Sequence, residues 1–307
     1  MGGKRKVIID CDPGVDDAFA IALATCHLDI VGITSTFGNS LIEHTTHNAL
    51  AIADALSLNC PIYQGASGPI AAGGKALTSH ALDIHGDDGM GGARLISERK
   101  ADGSDAAAFL ADALAKPEVA LIATGPLTNV AAALRMRPEI AHHLDMSLMG
   151  GASTIGNVNA VAEFNIYADP EAASEVFASG AVTTVAGLDI TASFGLTEAE
   201  ALRLDQGDQL ARELANAARH YLGRQHKRFG RGYAPMHDVC AVIPFIEPEL
   251  IRYIDTHIAV ECAGEHTRGM TVCDRRSPAV AKTPNVKFGI EADGPAIVEL
   301  MLEAMAV

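Results

Sequence analysis

The stretch VIIDCDPGVDDAFAIAL, residues 7–23, sets four carboxylates, Asp10, Asp12, Asp16 and Asp17, between an apolar run of strand character and an apolar run of helix character. The first run, Val7–Asp10, is short and β-branched, as expected of a strand buried on both faces. Pro13 and Gly14 then turn the chain into the Ala-rich segment Asp16–Cys26. Two acidic residues in the first turn of a helix are accounted for by its dipole. That account does not extend to Asp10 and Asp12, which stand where the strand ends.

Outward from this stretch the same alternation recurs. Strand-like Ile30–Thr36 precedes helix-like Leu41–Leu58, Val119–Thr124 precedes Leu127–Met136, and Leu144–Gly150 precedes Pro170–Ala178, whose N-cap is Asp169. Val182–Asp189 is a further strand, Asp208–Phe229 a long, mostly polar helix, and Asp238–Phe245 a second helix beyond the loop Gly230–Pro235. Such βα repetition predicts an α/β fold: an open, mostly parallel Rossmann-like sheet with helices on both faces and an active site at the C-terminal ends of the strands. No linker, repeat or low-complexity tract divides the chain, so one domain spanning 1–307 is expected.

Composition narrows the function. With 49% hydrophobic and 20% charged residues the chain is ordinary for a globular protein, and no run approaches the roughly 18 apolar residues of a membrane span. A net charge of −15 argues against a nucleic-acid partner, and against holding a substrate by its negative charge alone. The six cysteines form no CxxC pair and read as reduced thiols, so a soluble, cytoplasmic protein is expected.

Two unit charges about 4 Å apart repel by roughly 4 kcal/mol at an effective dielectric near 20, so converging carboxylates need protons or a cation. All-oxygen ligation suits Ca²⁺ or Mg²⁺, and the HExxH and CxxC patterns of zinc sites are absent. Polar or glycine-rich residues close other strands too: Gly38-Asn39, Thr124-Gly125, Met149-Gly150-Gly151 and Asp189. Together they describe one shared rim. IHGDDGMGG at 84–92, NVNAVAEFN at 157–165 and MHDVC at 236–240 add a histidine, amides with one Glu, and a His-Asp pair.

These motifs carry a resemblance. DCDPGVDDA at 10–18 resembles the N-terminal fingerprint of the inosine-uridine nucleoside hydrolases, and the likeness continues through GN at 38–39, HGDDGMGG at 85–92, TGPLTN at 124–129, LMGG at 148–151, AEFNIYADPEAA at 162–173, GLDIT at 187–191, HD at 237–238 and GMTVCD at 269–274. The resemblance implies hydrolysis of the N-glycosidic bond of ribonucleosides around a bound Ca²⁺. Asp12, Asp17 and Asp238 would offer side-chain oxygens to the ion and Thr124 its backbone carbonyl, a role independent of the Thr124 side chain. Asp10 would orient its neighbours from behind. A water on Ca²⁺ still needs a positioned base, and Asp12 is the carboxylate expected there.

On the same resemblance Asp16, Asn39 and Asn165 would hold the ribose 2′ and 3′ hydroxyls, Asn157 and Glu163 the 5′ hydroxyl, and Met149 would pack on the sugar. His237 is the expected acid for the departing base, as an imidazole titrating near working pH. His85, Phe164, Gln225, Phe229 and Tyr233 would face the base, with Gln225 suited to a pyrimidine. Preference would depend on loops near 73–90 and 220–236. Two departures stand out: Cys11 replaces a frequent Thr, and Asp83 stands where some members carry a second His. Relatives are commonly dimers or tetramers, so a homodimer or homotetramer is expected. Two rivals are a Mg²⁺-dependent aspartyl-phosphate phosphatase, which would want Thr or Val at position 14 and a Lys with Ser/Thr phosphate cradle, and a non-catalytic nucleoside or ribose binder.

Overall fold

The structure, a computed structural model, describes residues 3–71, 84–86, 88–277 and 279–307. Strand β1 (Lys6–Cys11) is buried at all but its first residue, which fits a central position in a parallel sheet. Its side chains alternate between the two faces: Val7 and Ile9 join one apolar core, Ile8 the other. Helix α1 (Val15–His27) follows, with every residue from Val15 to Ala24 buried, so it lies inside the molecule rather than on its surface.

The remaining strands are β2 (Asp29–Ser35), β3 (Ile62–Gln64), β4 (Val119–Ala123), β5 (Asp145–Met149), β6 (Val182–Ala186), β7 (Ile251–Val260), β8 (Thr271–Asp274) and β9 (Val286–Ala292). They line up in the order β3-β2-β1-β4-β5-β6-β9-β7-β8. Pairing is parallel from β3 through β9 and antiparallel where β7 joins β9 and β8. The chain runs from β1 outward to β3, then returns to β4 on the opposite side of β1. The two halves of the sheet thus part between β1 and β4, where an open α/β sheet leaves a crevice beyond its strand ends.

Helices cover both faces. One core packs α1, α2 (Ile42–Ala55), α9 (Gln209–Phe229), α10 (Val239–Val242) and α11 (Gly294–Ala304) on the Val7/Ile9 face. The other packs α3 (Ala106–Ala113), α4 (Thr128–Met136) and α6 (Pro170–Ala178) on the Ile8 face. Between them in sequence lie the short helices α5 (Phe164–Ala168), α7 (Leu188–Thr191) and α8 (Glu198–Leu204). No helix among the described residues is long and apolar enough to cross a membrane.

The α/β architecture is as expected, and α6 begins where the Asp169-Pro170 pair indicates, the Asp169 carboxylate accepting from Ala172 N at 3.1 Å. Two expected elements differ. The strand at Val182 stops at Ala186, because Gly187 opens α7 and puts Asp189 in that helix. The helix expected over 238–245 is only α10 followed by a 3-10 turn at Ile243–Phe245, since Pro244 has no N–H with which to continue an α-helix.

Candidate active site

The ends of β1 and β4 and the first turn of α1 bring the acidic residues together. Asp10, Asp12, Asp16, Asp17 and Asp238 are all buried, none more than 4% exposed. Oxygens of Asp16, Asp17 and Asp238 lie within 4.8 Å of one another, making this trio a possible metal site. Asp12 is a neighbour of this trio rather than part of it. Two glycines leave it room: a Cβ on Gly38 would fall 1.9 Å from Asp12 Oδ2, and one on Gly125 would fall 2.8 Å from Oδ1.

Backbone and amide donors hold the carboxylates apart. Asn39 N donates to Asp12 Oδ2 at 2.7 Å, and Gly14 N donates to Asp17 Oδ2 at 2.8 Å. Asn39 Nδ2 donates to the Asp12 carbonyl at 3.1 Å and to Asp17 Oδ2 at 3.2 Å. Asp10 Oδ1 accepts from Thr34 Oγ1 at 2.6 Å and from Asn129 Nδ2 at 2.8 Å, behind the cluster. The Thr124 hydroxyl donates to Asp17 Oδ1 at 2.7 Å, so its side chain takes part in the site beside the carbonyl that the sequence points to. That carbonyl accepts from Asn165 Nδ2 at 2.7 Å and retains a second lone pair.

Donors do not satisfy the cluster. Asp12 Oδ1, Asp16 Oδ1 and Asp10 Oδ2 are buried without a hydrogen-bond partner. Burial, reinforced by the Asp17 charge, raises Asp12 well above the usual carboxylate range and Asp16 to about 7. Burial raises Asp10 to about 6 despite its two hydrogen bonds. Asp17 is raised by burial as well, and Asp238 is driven well up by burial and then by the charges of Asp16, Asp17 and Asp12. A site built of oxygens, crowded with like charge and holding unpaired lone pairs fits a hard divalent cation.

Above this floor opens a cavity of about 450 Å³, large enough for a small organic molecule. Asp16, Asn39, His85, Thr124, Met149, Asn157, Glu163, Phe164, Asn165, Gln225, Phe229, His237 and Asp238 all line it, as the sequence indicates. Asp10, Asp12 and Asp17 lie outside that lining, in the layer beneath. Glu163 caps α5: its carboxylate accepts from Gly151 N, Asn165 N and Ile166 N at 2.9, 2.9 and 3.1 Å, and these oppose the burial that raises it. The Oδ1 of Asn157 is buried and unpartnered. His85 Nδ1 accepts from Val15 N at 3.4 Å, and its ring lies 5.3 Å from that of Tyr221.

His237 and Tyr233 depart from expectation. His237 Nδ1 lies 2.8 Å from the buried Thr191 Oγ1, and burial, then the charges of Arg231 and His85, push the imidazole down to about 3. It therefore does not titrate near neutrality; the ring is uncharged there. Tyr233 is absent from the cavity lining, its hydroxyl donating to the Ala192 carbonyl at 2.8 Å. Asp83 and most of the 73–90 loop fall outside the described residues.

Tyr221, Arg231, Thr154, Ile155 and Asp189 also line the cavity, and of these only Asp189 is marked in the sequence, as the end of a strand. Tyr221 was within reach of helical spacing, because it precedes Gln225 and Phe229 by one and two steps of four on α9. Arg231 lies beyond the helix and gives no such signal. Its Nη1 donates to Gln225 Oε1 at 3.3 Å, and its guanidinium lies 5.1 Å from the Phe229 ring centre.

Comparison with known proteins agrees with this geometry. Residues 7–299 match the profile of the inosine-uridine preferring nucleoside hydrolases. The pyrimidine-specific ribonucleoside hydrolase RihB of Escherichia coli (strain K12 / DH10B) is 36% identical over 297 residues, covering 94% of this chain and 93% of its own. The purine-preferring ribonucleoside hydrolase from Gardnerella vaginalis superposes with a TM-score of 0.91 at 33% identity, covering 98% of each chain. The plant nucleoside hydrolase PpNRh1 superposes with a TM-score of 0.90 at 29% identity, covering 99% of each. With the profile matched over nearly its whole length, the chain belongs to the inosine-uridine preferring nucleoside hydrolase family and is an N-glycosidase acting on nucleosides.

Proposed function

We propose that this enzyme hydrolyses ribonucleosides to ribose and free base in a calcium-dependent reaction with Asp12 as general base. The observation that carries the reading is the all-aspartate cluster, with unpaired buried oxygens, under a substrate-sized cavity where the sheet's halves part. Asp12, Asp17 and Asp238 with the Thr124 carbonyl would hold the ion, Asp10 supporting them from behind. Asp16 is close enough to Asp17 and Asp238 to share in that role. When bound, Ca²⁺ would neutralise the cluster and polarise a water for attack on the sugar.

The protein's own groups supply the rest. Asp12 is held by Asn39 N through one oxygen while the other stays unpaired, which leaves it free to take a proton. Carboxylates beneath the sugar favour the positive charge that develops there as the glycosidic bond breaks. Asp16, Asn39 and Asn165 would bind the 2′ and 3′ hydroxyls, Met149 the sugar face, and Asn157 and Glu163 the 5′ hydroxyl. His85, Phe164, Gln225 and Phe229 would surround the base, with His237 as its donor. The Gln225 amide supports a pyrimidine, in keeping with the resemblance to RihB, while the Gardnerella enzyme's purine preference points the other way.

A phosphatase reading finds no lysine among the described lining residues, and the Thr or Val it needs at position 14 would put a Cβ 2.7 Å from both Asn39 Nδ2 and His85 Nδ1. A pure binder would have no use for a base at Asp12. Six free cysteines support a reducing, cytoplasmic setting, and the single continuous sheet supports one domain over 1–307. Homodimers or homotetramers are the proposed assembly. Incubation with inosine, uridine, cytidine and adenosine in calcium-replete buffer should release ribose, uridine being turned over. Absence of ribose from all of them would defeat the proposal.

A further inference from the structure

We propose that Thr191, which places its buried Oγ1 2.8 Å from His237 Nδ1, is a positioning residue that fixes His237 as a neutral ring with its proton on Nε2, facing the departing base. This rests on the reading above that His237 serves the base. Thr191 ends α7, is fully buried, and makes no other side-chain hydrogen bond among the described residues. A hydroxyl at that distance can donate or accept. Were Oγ1 to accept from Nδ1–H, its own proton would be buried with no acceptor, an arrangement that carries the full desolvation penalty. Donating instead satisfies both groups, leaves Nδ1 unprotonated and puts the ring proton on Nε2. Because Nδ1 is engaged with Thr191 and the ring lines the cavity, Nε2–H is the donor left for a ligand.

The consequence is a hydrogen bond rather than a transferred proton. As the C1′–N bond breaks, its electron pair passes to the base nitrogen, and Nε2–H stabilises the charge forming there. The proton stays on the ring, since its transfer would leave an imidazolate. The attacking water bonds to C1′ and yields a proton to Asp12, and the released base takes one up from solvent. Thr191 acts on this step only through His237.

Selective ¹⁵N-histidine labelling of the calcium-loaded enzyme reads the tautomer without turnover. The His237 resonances should show a protonated Nε2 and an unprotonated Nδ1, and Thr191→Val should introduce the Nδ1–H form. On uridine that variant should lose about 10- to 100-fold in kcat with KM within about twofold, the range expected when a donor to the transition state is misdirected. A riboside with a nitrophenolate leaving group, which needs no such donor, should change by less than about threefold, and Thr191→Ser should restore both tautomer and rate. A wild-type Nδ1–H signal would overturn the proposal, as would equal losses on both substrates with the tautomer unchanged. A His237→Ala enzyme as fast as wild type on uridine would instead remove His237 from the base-side role, while the resonances would still report on Thr191.

Discussion

Two regions enclose the same cavity by opposite means. On the floor, the five aspartates are no more than 4% exposed, and Asn39, Gly14, Thr34, Asn129 and Thr124 fix Asp10, Asp12 and Asp17 with bonds of 2.6 to 3.2 Å. At the rim, Phe229 is 44% exposed and Ile155 73%, while Gln225, buried beneath them, bonds Tyr221 and meets Arg231 through a long bond of 3.3 Å. The floor concentrates charge that the protein can keep only by neutralising it. The rim presents apolar and amide surface that can be exchanged without disturbing that balance. On the function proposed, reaction chemistry belongs to the floor and base selection to the rim, which fits a fold shared by pyrimidine-specific and purine-preferring relatives.

The most severe test of this division is Asp12→Asn. The amide can keep its bond to Asn39 N but cannot accept the proton of an attacking water, so kcat should fall by about 10³-fold or more. Thermal unfolding of the metal-free protein should be unchanged or shifted upward, because the amide brings no charge into a crowded buried site. Near-normal turnover would show that the floor's charge is structural and would dissolve the contrast.

Chelation probes the same charge through stability. In metal-free protein Asp10 titrates at about 6 and Asp16 at about 7, both above the ordinary value of 3.8. The folded state then holds more protons than the unfolded chain between those limits. Their contribution to stability is complete below the unfolded pKa and is lost as pH rises through 6 to 7. Chelated enzyme should accordingly melt lower at pH values above 7 than near about 5, and added Ca²⁺ should raise the melting temperature more at the higher pH. Equal stabilisation at both would mean that the cation does not answer the carboxylate repulsion.

Thr124→Val is a smaller change on the same floor. It removes the hydroxyl that orients Asp17 while sparing the carbonyl, and a supporting bond of this kind is worth about 10- to 100-fold in metal affinity. The calcium concentration giving half-maximal activity should rise by that factor, with the rate at saturating calcium close to wild type. An unchanged calcium requirement would return Thr124 to a backbone role alone.

How far each region could be read from the chain follows from what builds it. Asp10, Asp12, Asp16 and Asp17 fall within eight consecutive residues, and strand polarity alone carries them to one end of the sheet. The β1–α1 unit and the parallel order were legible for the same reason. β3 is only three residues long, and α3, α11 and the strands β7 and β9 were not singled out, having no chemical motif to mark them, while β8 lies in GMTVCD, which carries the resemblance but no strand signal of its own. The Thr124 hydroxyl and the Thr191 contact escaped notice because each joins residues far apart in sequence, 107 and 46 positions. Tyr233 misled by proximity: it follows Phe229 closely, but α9 ends at Gly230, whose left-handed backbone redirects the chain and leaves the tyrosine bonded to Ala192.

Phe229→Ala should have the mildest effect and sharpens the contrast most. The ring closes the rim, exposed to solvent on one side and covered by Arg228 and Arg231, whose guanidinium carbons lie 5.4 and 5.1 Å from its centre. Much of its surface is wet before a ligand arrives, so truncation removes only the part that a nucleobase would cover. At about 25 cal/mol per Å² that is a change of about 1 kcal/mol in binding, a several-fold rise in KM. Among the described residues the ring meets the guanidinium groups of Arg228 and Arg231 and not a floor carboxylate's charge, so kcat should hold and the calcium requirement should stay at its wild-type value. Because the lost surface is apolar, the rise should be larger for the nucleoside with the larger base, inosine over uridine, if both are turned over. A fall in kcat that matched the rise in KM would mean that the rim aligns the reacting bond as well as holding the base, and the division of labour between the two regions would have to be abandoned.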